Sequence, residues 1–348
     1  MPIEGRKRKV SMDSEELKHR SSQHQHHHHH HHHHHRRRWL RWLWILVGLV
    51  VVVALFFAGM AWRNVRVATN SMYSPSGVVK SRNLSKLLAA KKPINILLLG
   101  TDTGALGRSY KGRTDTIMMM SVNPQTKKTT IVSIPRDMEV TLPDYSDESP
   151  AKLNAAYTYG GVKETIKTLK EYYNVPIDGY VLVNMGGLEK AINQVGGVTV
   201  KSPLTFSYEG YSFEKGKTYT MKGAQALAFS RMRHEDPNGD YGRQERQRLV
   251  IMALLKKSAS YKSILNQSFL NDIADETQTD FTLNNMMSVA LHYRSAGQSV
   301  TSDHAQGTSQ TVSGEDFEVV STTERQRVSN ELRTTLGLKQ VKVKTESN

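Results

Sequence analysis

Residues Trp42–Trp62, WLWILVGLVVVVALFFAGMAW, run for 21 residues without a charged side chain. About 20 apolar residues in a helix cover the roughly 30 Å hydrocarbon core of a bilayer, so the sequence predicts a membrane span here. All four tryptophans, Trp39, Trp42, Trp44 and Trp62, sit at its two ends, where the amphipathic indole suits a membrane interface. A buried core helix is rarely apolar on every side for this length, and a cleaved signal peptide has a shorter apolar run behind a shorter basic head. Arg36, Arg37, Arg38 and Arg41 abut the first end, and only Arg63 and Arg66 follow the second. The positive-inside rule therefore places residues 1–41 in the cytoplasm and everything after Trp62 outside.

The chain carries 47 Lys+Arg against 32 Asp+Glu, a formal net charge of +15, and residues 1–41 hold ten basic residues against four acidic ones. Next to a span, such a head meets anionic membrane lipid first, at about 1 kcal/mol per well-placed cation. Nucleic acid is not an expected partner. His26–His35 is ten histidines in a row. An expression tag, a metal-binding tract and natural low complexity all fit it, and no catalytic role is assigned to it. The absence of cysteine excludes disulfide scaffolds, iron–sulfur centres and thiol nucleophiles. Chemistry falls to carboxylates, histidines, arginines and hydroxyls.

Residues 63–92 are rich in Ser, Lys and Asn, with Pro75 and Gly77 as breakers, and read as an extracellular stalk with a short helix near Leu84–Ala90. Beyond it PINILLLG, TIMMMSVN and TTIVSIP are short apolar or β-branched runs between turn signals, the pattern of buried strands. Val162, Ile166, Leu169 and Tyr173 recur at helical spacing. Strand-like DGYVLVN follows, then a short helix closed by Gly196 and the strand VTV. Alternating elements of this kind predict a three-layer α/β domain, helices on both sides of a central mixed sheet. Further helices are expected over Lys222–Arg231 and from Gly242. The expected organisation is a cytoplasmic basic, His-rich head (1–41), a transmembrane helix (42–62), a stalk (63–92), a catalytic domain (93–260) and a Ser/Thr/Gln-rich C-terminal extension (261–348).

If the strands Ile94–Leu99, Thr116–Val122 and Thr130–Ile134 pair antiparallel, then Asp102, Arg113, Asp115, Arg136 and Asp137 all fall on one sheet edge, because a strand's end and its antiparallel neighbour's start share a side. Two readings fit such a cluster. One is neutralisation by ion pairs. The other is a divalent cation on Asp102 and Asp115 with arginines presented to phosphate, since magnesium takes one or two carboxylates plus phosphate oxygens and Arg grips phosphate through paired donors. A second cluster comprises Arg231 and Arg233, alternating onto one face of extended backbone, and Asp240, placed to cap the next helix. Arg243 and Gln247 share a face of that helix at i, i+4. A solvated basic helix, with Arg246 and Arg248 also on it, explains the same residues.

Seven segments, GTD (100–102), GRTDTIMM (112–119), SIPRD (133–137), KLNAAYTYGG (152–161), the GG pairs of 186–198, ALAFSRMRH (226–234) and DYGRQERQ (240–247), together resemble the LytR-CpsA-Psr family of cell-envelope proteins across roughly residues 93–258. The resemblance implies a membrane-anchored phosphotransferase of a Gram-positive-type envelope. It would move a glycopolymer (teichoic acid, capsular or other wall polysaccharide) from a polyprenyl pyrophosphate carrier to a peptidoglycan hydroxyl. By matching position, Asp102 and Asp115 would hold Mg2+, and Arg113, Arg136, Lys152, Arg231, Arg233, Arg243 and Gln247 would line the pyrophosphate head. Arg136, Arg231 and Asp240 would be catalytic; whether Asp115, Asp137, Asp240 or none of them takes the hydroxyl proton stays open. The resemblance also asks for an apolar groove for the polyprenyl chain, with the helix over 243–258 as one wall. Rival readings are hydrolysis of the same pyrophosphate, a non-enzymatic envelope regulator or adhesin, and a transcription regulator, which would need the main domain on the cytoplasmic side.

Overall fold

A computed structural model describes residues 34–101, 112–260, 274–312 and 314–345. Three strands set the frame: β1 (Ile94–Thr101), β2 (Thr114–Asn123) and β3 (Lys128–Ser133), paired antiparallel as expected. Successive side chains on a strand point to opposite faces. Thus Leu97, Leu99, Ile117, Met119 and Val132 enter one core, while Ile94, Ile96, Met118, Met120 and Ile131 enter another. Asn123 closes the β2–β3 turn, its Oδ1 accepting from the backbone N–H of Gln125 at 3.0 Å and of Thr126 at 3.1 Å, as Asn does in turns.

The remaining strands are β4 (Glu139–Val140), β5 (Ala151–Lys152), β6 (Gly179–Asn184), β7 (Val198–Lys201), β8 (Phe206–Tyr208), β9 (Tyr211–Phe213), β10 (Thr218–Met221), β11 (Thr277–Thr279), β12 (Ser299–His304), β13 (Thr308–Val312) and β14 (Glu315–Val319). The helices are α1 (His34–Met72), α2 (Leu84–Ala89), α3 (Ala155–Tyr173), α4 (Met185–Gln194), α5 (Gly223–Arg231), α6 (Gly239–Ser260), α7 (Leu283–His292) and α8 (Thr322–Thr335). The central sheet has six strands in the order β11-β6-β1-β2-β3-β12. It is mixed, because β6 runs parallel to β1 and β12 parallel to β3. With both faces apolar it must be covered twice. Ile166 and Leu169 of α3 and Val328 and Leu332 of α8 cover one side; α2, α7 and the middle of α6 cover the other. A third core under α4, α5 and β7–β10 gathers Ile192, Phe206, Phe213, Phe229 and Val250. The helical stretch expected from Lys152 to Tyr173 begins instead at Ala155 and is kinked at Gly161, whose φ of +67° is left-handed, a conformation that suits glycine.

The boundary expected at residue 260 does not divide this fold. β11 and β12 form the two edges of the central sheet, and α8 contributes Val328 and Leu332, both fully buried. Their sequences are polar because edge strands and a surface helix need few apolar residues. Leu332→Ala is expected to destabilise the domain by about 2–5 kcal/mol, read in a chemical denaturation midpoint; a detached extension would show no change. The expected stalk is likewise part of the domain. Val65, Ala68 and Met72 pack on Ala274, and Leu84 and Leu88 enter the core beneath the sheet.

The chain divides into two units, Met1–Phe57 and Ala58–Asn348. In the first, the described structure is the leading part of α1, where Leu49, Val50, Val52, Leu55 and Phe56 are exposed. Among the described residues no helix is long and apolar enough to cross a membrane. Most of the basic head and of the His tract lies outside the described residues.

Candidate active site

The ends of β1 and β3 and the start of β2 meet at one edge, as strand direction predicts. There the β1–β2 ladder slips: Gly100 faces Thr116, but Thr101 faces Thr114. Asp115 is therefore the extra residue of a bulge, a device that re-aims a side chain. Gly100 lies so close that a Cβ on it would stand 2.9 Å from Thr116 Cβ. The Asp115 carboxylate accepts a hydrogen bond from Arg136 Nη1 at 2.5 Å.

Arg136 follows Pro135 just past β3, its carbonyl held by the backbone N–H of Asn154 at 2.9 Å. Its Nε lies 3.4 Å from Asp137 Oδ2 and 4.0 Å from Asp240 Oδ1. Burial alone would depress this guanidinium, but Asp137, Asp115 and Asp240 outweigh burial and hold its pKa above the ordinary arginine value.

Asp240 was expected to cap its helix. Instead α6 starts one residue earlier, at Gly239, whose φ is +54°. Asp240 stands in the first turn, accepting from Gln244 Nε2 at 2.9 Å and lying 2.5 Å from Arg243 Nη2. That contact lacks hydrogen-bond geometry, so the buried Nε and Nη2 of Arg243 have no hydrogen-bond acceptor among the described residues, and Gln247 Oε1 has no donor. Burial, with Arg136 and Arg233 nearby, depresses Arg243, and Asp240 only partly offsets it. A buried guanidinium at a helix start, with two nitrogens that lack an acceptor among the described residues, is suited to an anion.

The predicted site residues separate into two groups. Asp115, Arg136, Asp240 and Arg243 converge, joined by Asp137. Arg231 sits at the end of α5 with Nη1 3.7 Å from Glu209 Oε1. Arg233 and Arg113 are exposed, and Lys152 on β5 places Nζ 5.7 Å from the Phe317 ring centroid. Asp102 lies outside the described residues. Its partner Asp115, bonded to one guanidinium, retains carboxylate lone pairs. The oxygen-only donors here fit a magnesium ion completed by phosphate oxygens, although no group of three or more His, Asp or Glu disposed to hold a metal occurs among the described residues.

Arg246, which the sequence offered as a solvated residue, is completely buried. It pairs with Asp236 and donates to the carbonyls of Phe229, at 2.9 Å, and Met232. The carboxylate of Asp236 occupies the space a side chain at Gly242 would need. This knot fastens the Arg231–Arg233 segment to α6. Glu318, from the C-terminal segment, accepts from the Tyr241 hydroxyl at 3.2 Å. Its pKa is raised by burial and by Asp137 and Asp240, against the Tyr241 hydrogen bond. The sequence read Arg246 only as part of a solvated basic helix and gave no signal for Glu318, because the burial of each depends on contacts with other segments.

Beside the charged cluster an apolar cavity of about 500 Å³ opens between the sheet and helices α4, α6 and α7. Met118, Val181, Ile251, Leu254, Met286 and Val289 form walls, so the expected apolar face of α6 is one of them. Thr116, Ser230 and Gln247 also line it; they neighbour Asp115 and Arg231 in sequence and Arg243 across one helical turn. The cavity's polar end therefore adjoins the arginine cluster.

Comparison with known proteins finds that residues 60–334 match the LytR_cpsA_psr family. A polyisoprenyl-teichoic acid–peptidoglycan teichoic acid transferase, TagU, of Enterococcus faecalis is 42% identical over 297 residues, 85% of this chain and 97% of that protein. The crystal structure of B. subtilis TagU superposes with a TM-score of 0.57 at 34% identity, covering 72% of this chain and 100% of that one. A structure described as TagT bound to LIIa-WTA matches with a TM-score of 0.61 at 26% identity, covering 75% of this chain and 95% of that one.

Proposed function

Because the chain belongs to the LytR-CpsA-Psr family, we propose that it transfers a teichoic acid or related glycopolymer from a polyprenyl pyrophosphate carrier to a peptidoglycan hydroxyl. The relatives named above as peptidoglycan teichoic acid transferases support the reaction. The observation that carries it for this chain is the juxtaposition of a 500 Å³ apolar cavity with a buried guanidinium, ion-paired to Asp240, two of whose nitrogens lack a hydrogen-bond acceptor among the described residues. Such a site is made for an amphiphile with an anionic head.

In this reading the polyprenyl chain lies along Met118, Val181, Ile251 and Leu254, and Arg243 and Arg136 take the pyrophosphate. Arg231 and Arg233 reach it from the α5 end, Arg113 from the start of β2, and Gln247 donates at the polar end of the cavity. Phosphoryl transfer depends mainly on positioning and on neutralising charge on the phosphoryl oxygens. Arg136, set among Asp115, Asp137 and Asp240 at the sheet edge, is one cation placed for that task. Asp115, with Asp102, would hold Mg2+, which would add Lewis-acid stabilisation of phosphate charge. The attacking hydroxyl loses its proton as the polyprenyl phosphate leaves, and Asp240 or Asp137, both beside Arg136 Nε, are the nearby acceptors. The exposed apolar residues of α1 and the tryptophan-flanked run support anchoring at residues 42–62, with the basic head against anionic lipid on the cytoplasmic side and the domain outside.

The test is reconstitution of the purified full chain with labelled lipid-linked polymer and peptidoglycan. Label should become covalently attached to peptidoglycan and the reaction should stop with EDTA. Water-soluble phosphorylated polymer as the sole product would replace transfer by hydrolysis, and unchanged donor would refute both. Ile251→Trp, which fills the cavity, is expected to raise the KM for long-chain donor about tenfold or more, as several methylene contacts at roughly 0.8 kcal/mol each are displaced. A donor with a short, water-soluble tail should be unaffected.

A further inference from the structure

We propose that the exposed pair Tyr145 and Tyr159 is a stacking platform for a sugar ring of the acceptor glycan strand. The proposal rests on the transfer reading above and names where its second substrate lies. The two rings are 36% and 41% exposed, with centroids 5.7 Å apart and planes tilted by 33°, so they pack on each other as one contiguous, partly exposed aromatic pair. Exposed aromatic rings that are fixed in place present an apolar surface with a polar rim, which matches the C–H face and hydroxyl edge of a pyranose.

The pair is fixed rather than incidental. Gly160 lets the Tyr145 ring lie directly on α3, since a Cβ there would come within 2.8 Å of Tyr145 Cε2. The Tyr159 hydroxyl donates to Glu148 Oε2 at 2.9 Å. The loop carrying Tyr145 is tied down by Asp144 N–H to Glu164 Oε1 at 2.9 Å, Thr141 N–H to the Tyr172 hydroxyl at 2.7 Å and Leu142 N–H to Ser149 Oγ at 2.9 Å. Glu148, and Arg113 close enough to perturb the Tyr159 hydroxyl, supply polar groups for sugar hydroxyls at the platform's rim. The cost of ordering these side chains on binding is thus already met by the fold.

Its location selects the acceptor over the donor. The cavity opens on the sheet face that carries Met118, whereas α3 packs on the opposite face through Ile166 and Leu169. The platform meets the charged edge through Arg113, two residues or about 7 Å along the strand from Asp115, and through Thr158 Oγ1, 3.5 Å from the Gly112 carbonyl. In phosphoryl transfer the entering and leaving oxygens lie roughly in line on opposite sides of phosphorus. With the polyprenyl phosphate leaving on the cavity face, the attacking hydroxyl comes from the α3 side.

The test is titration of the full chain, with no lipid donor present, using an un-cross-linked peptidoglycan oligosaccharide as probe. Wild type should bind it, Tyr159→Ala and Tyr145→Ala should each weaken binding about tenfold, and Tyr159→Trp should retain it. In the transfer assay the alanine variants should raise the KM for acceptor and leave the KM for donor unchanged. Absence of oligosaccharide binding by wild type, or equal binding by variants that melt like wild type, overturns the platform. A rise in donor KM without loss of oligosaccharide binding overturns the acceptor assignment. Oligosaccharide binding that persists when transfer itself cannot be detected would refute the transfer reading and leave the platform standing.

Discussion

Replacing Arg243 with alanine is expected to lower kcat/KM for lipid-linked donor by about a thousandfold or more, the scale on which one arginine acts on a transferring phosphoryl group. Arg243 is nine-tenths buried, and beyond its ion pair with Asp240 two of its guanidinium nitrogens have no hydrogen-bond acceptor among the described residues, so an incoming phosphate meets a donor already stripped of water. Arg231, which is one-third exposed and shares its charge with Glu209, should cost less when removed. Arg243→Lys should recover only part of the activity, because an ammonium cannot present the planar fork. Steady-state transfer kinetics on the three variants check this, with circular dichroism to confirm that helix α6 is intact. Equal losses for Arg231→Ala and Arg243→Ala would contradict the ranking.

The largest loss of stability is expected at Arg246. Arg246→Met leaves the nearly buried Asp236 carboxylate unpaired and strips the carbonyls of Phe229 and Met232 of a donor. Breaking a buried pair from one side costs about 3–5 kcal/mol, which for a domain of this size lowers the melting temperature by roughly 10 °C. Activity should fall further than stability explains, since the same contacts hold the Arg231–Arg233 segment against α6. A melting temperature within a degree or two of wild type would show that Arg246 is not the fastening point.

The first three strands were legible because each is an unbroken apolar run needing cover on both faces, and the sheet edge carrying Arg136 and Asp115 followed from strand direction alone. The outer strands were not, because β12 reads SVTSDH and pairs on one side only. Within the site, pattern recovered the convergent residues Asp115, Arg136, Asp240 and Arg243. It could not show that Asp115 is turned by a bulge, that Lys152 lies near the Phe317 ring, or that Arg246 is buried while Arg233, two residues past the end of α5, is exposed. Charge identity was readable; burial depends on which distant carbonyls come to meet it.

Strand β3 finds its outer partner β12 about 170 positions later in the chain, as in the contact of Thr130 with Thr301. Until β12 has left the ribosome, β3 presents an open row of unpaired amides, the kind of border that invites pairing with other chains. Closure must also await a long-range contact, which slows folding. The interval between making the charged edge and sealing the sheet is therefore the period when a nascent chain most needs shielding, and C-terminal truncations should fail as aggregates rather than as weak enzymes.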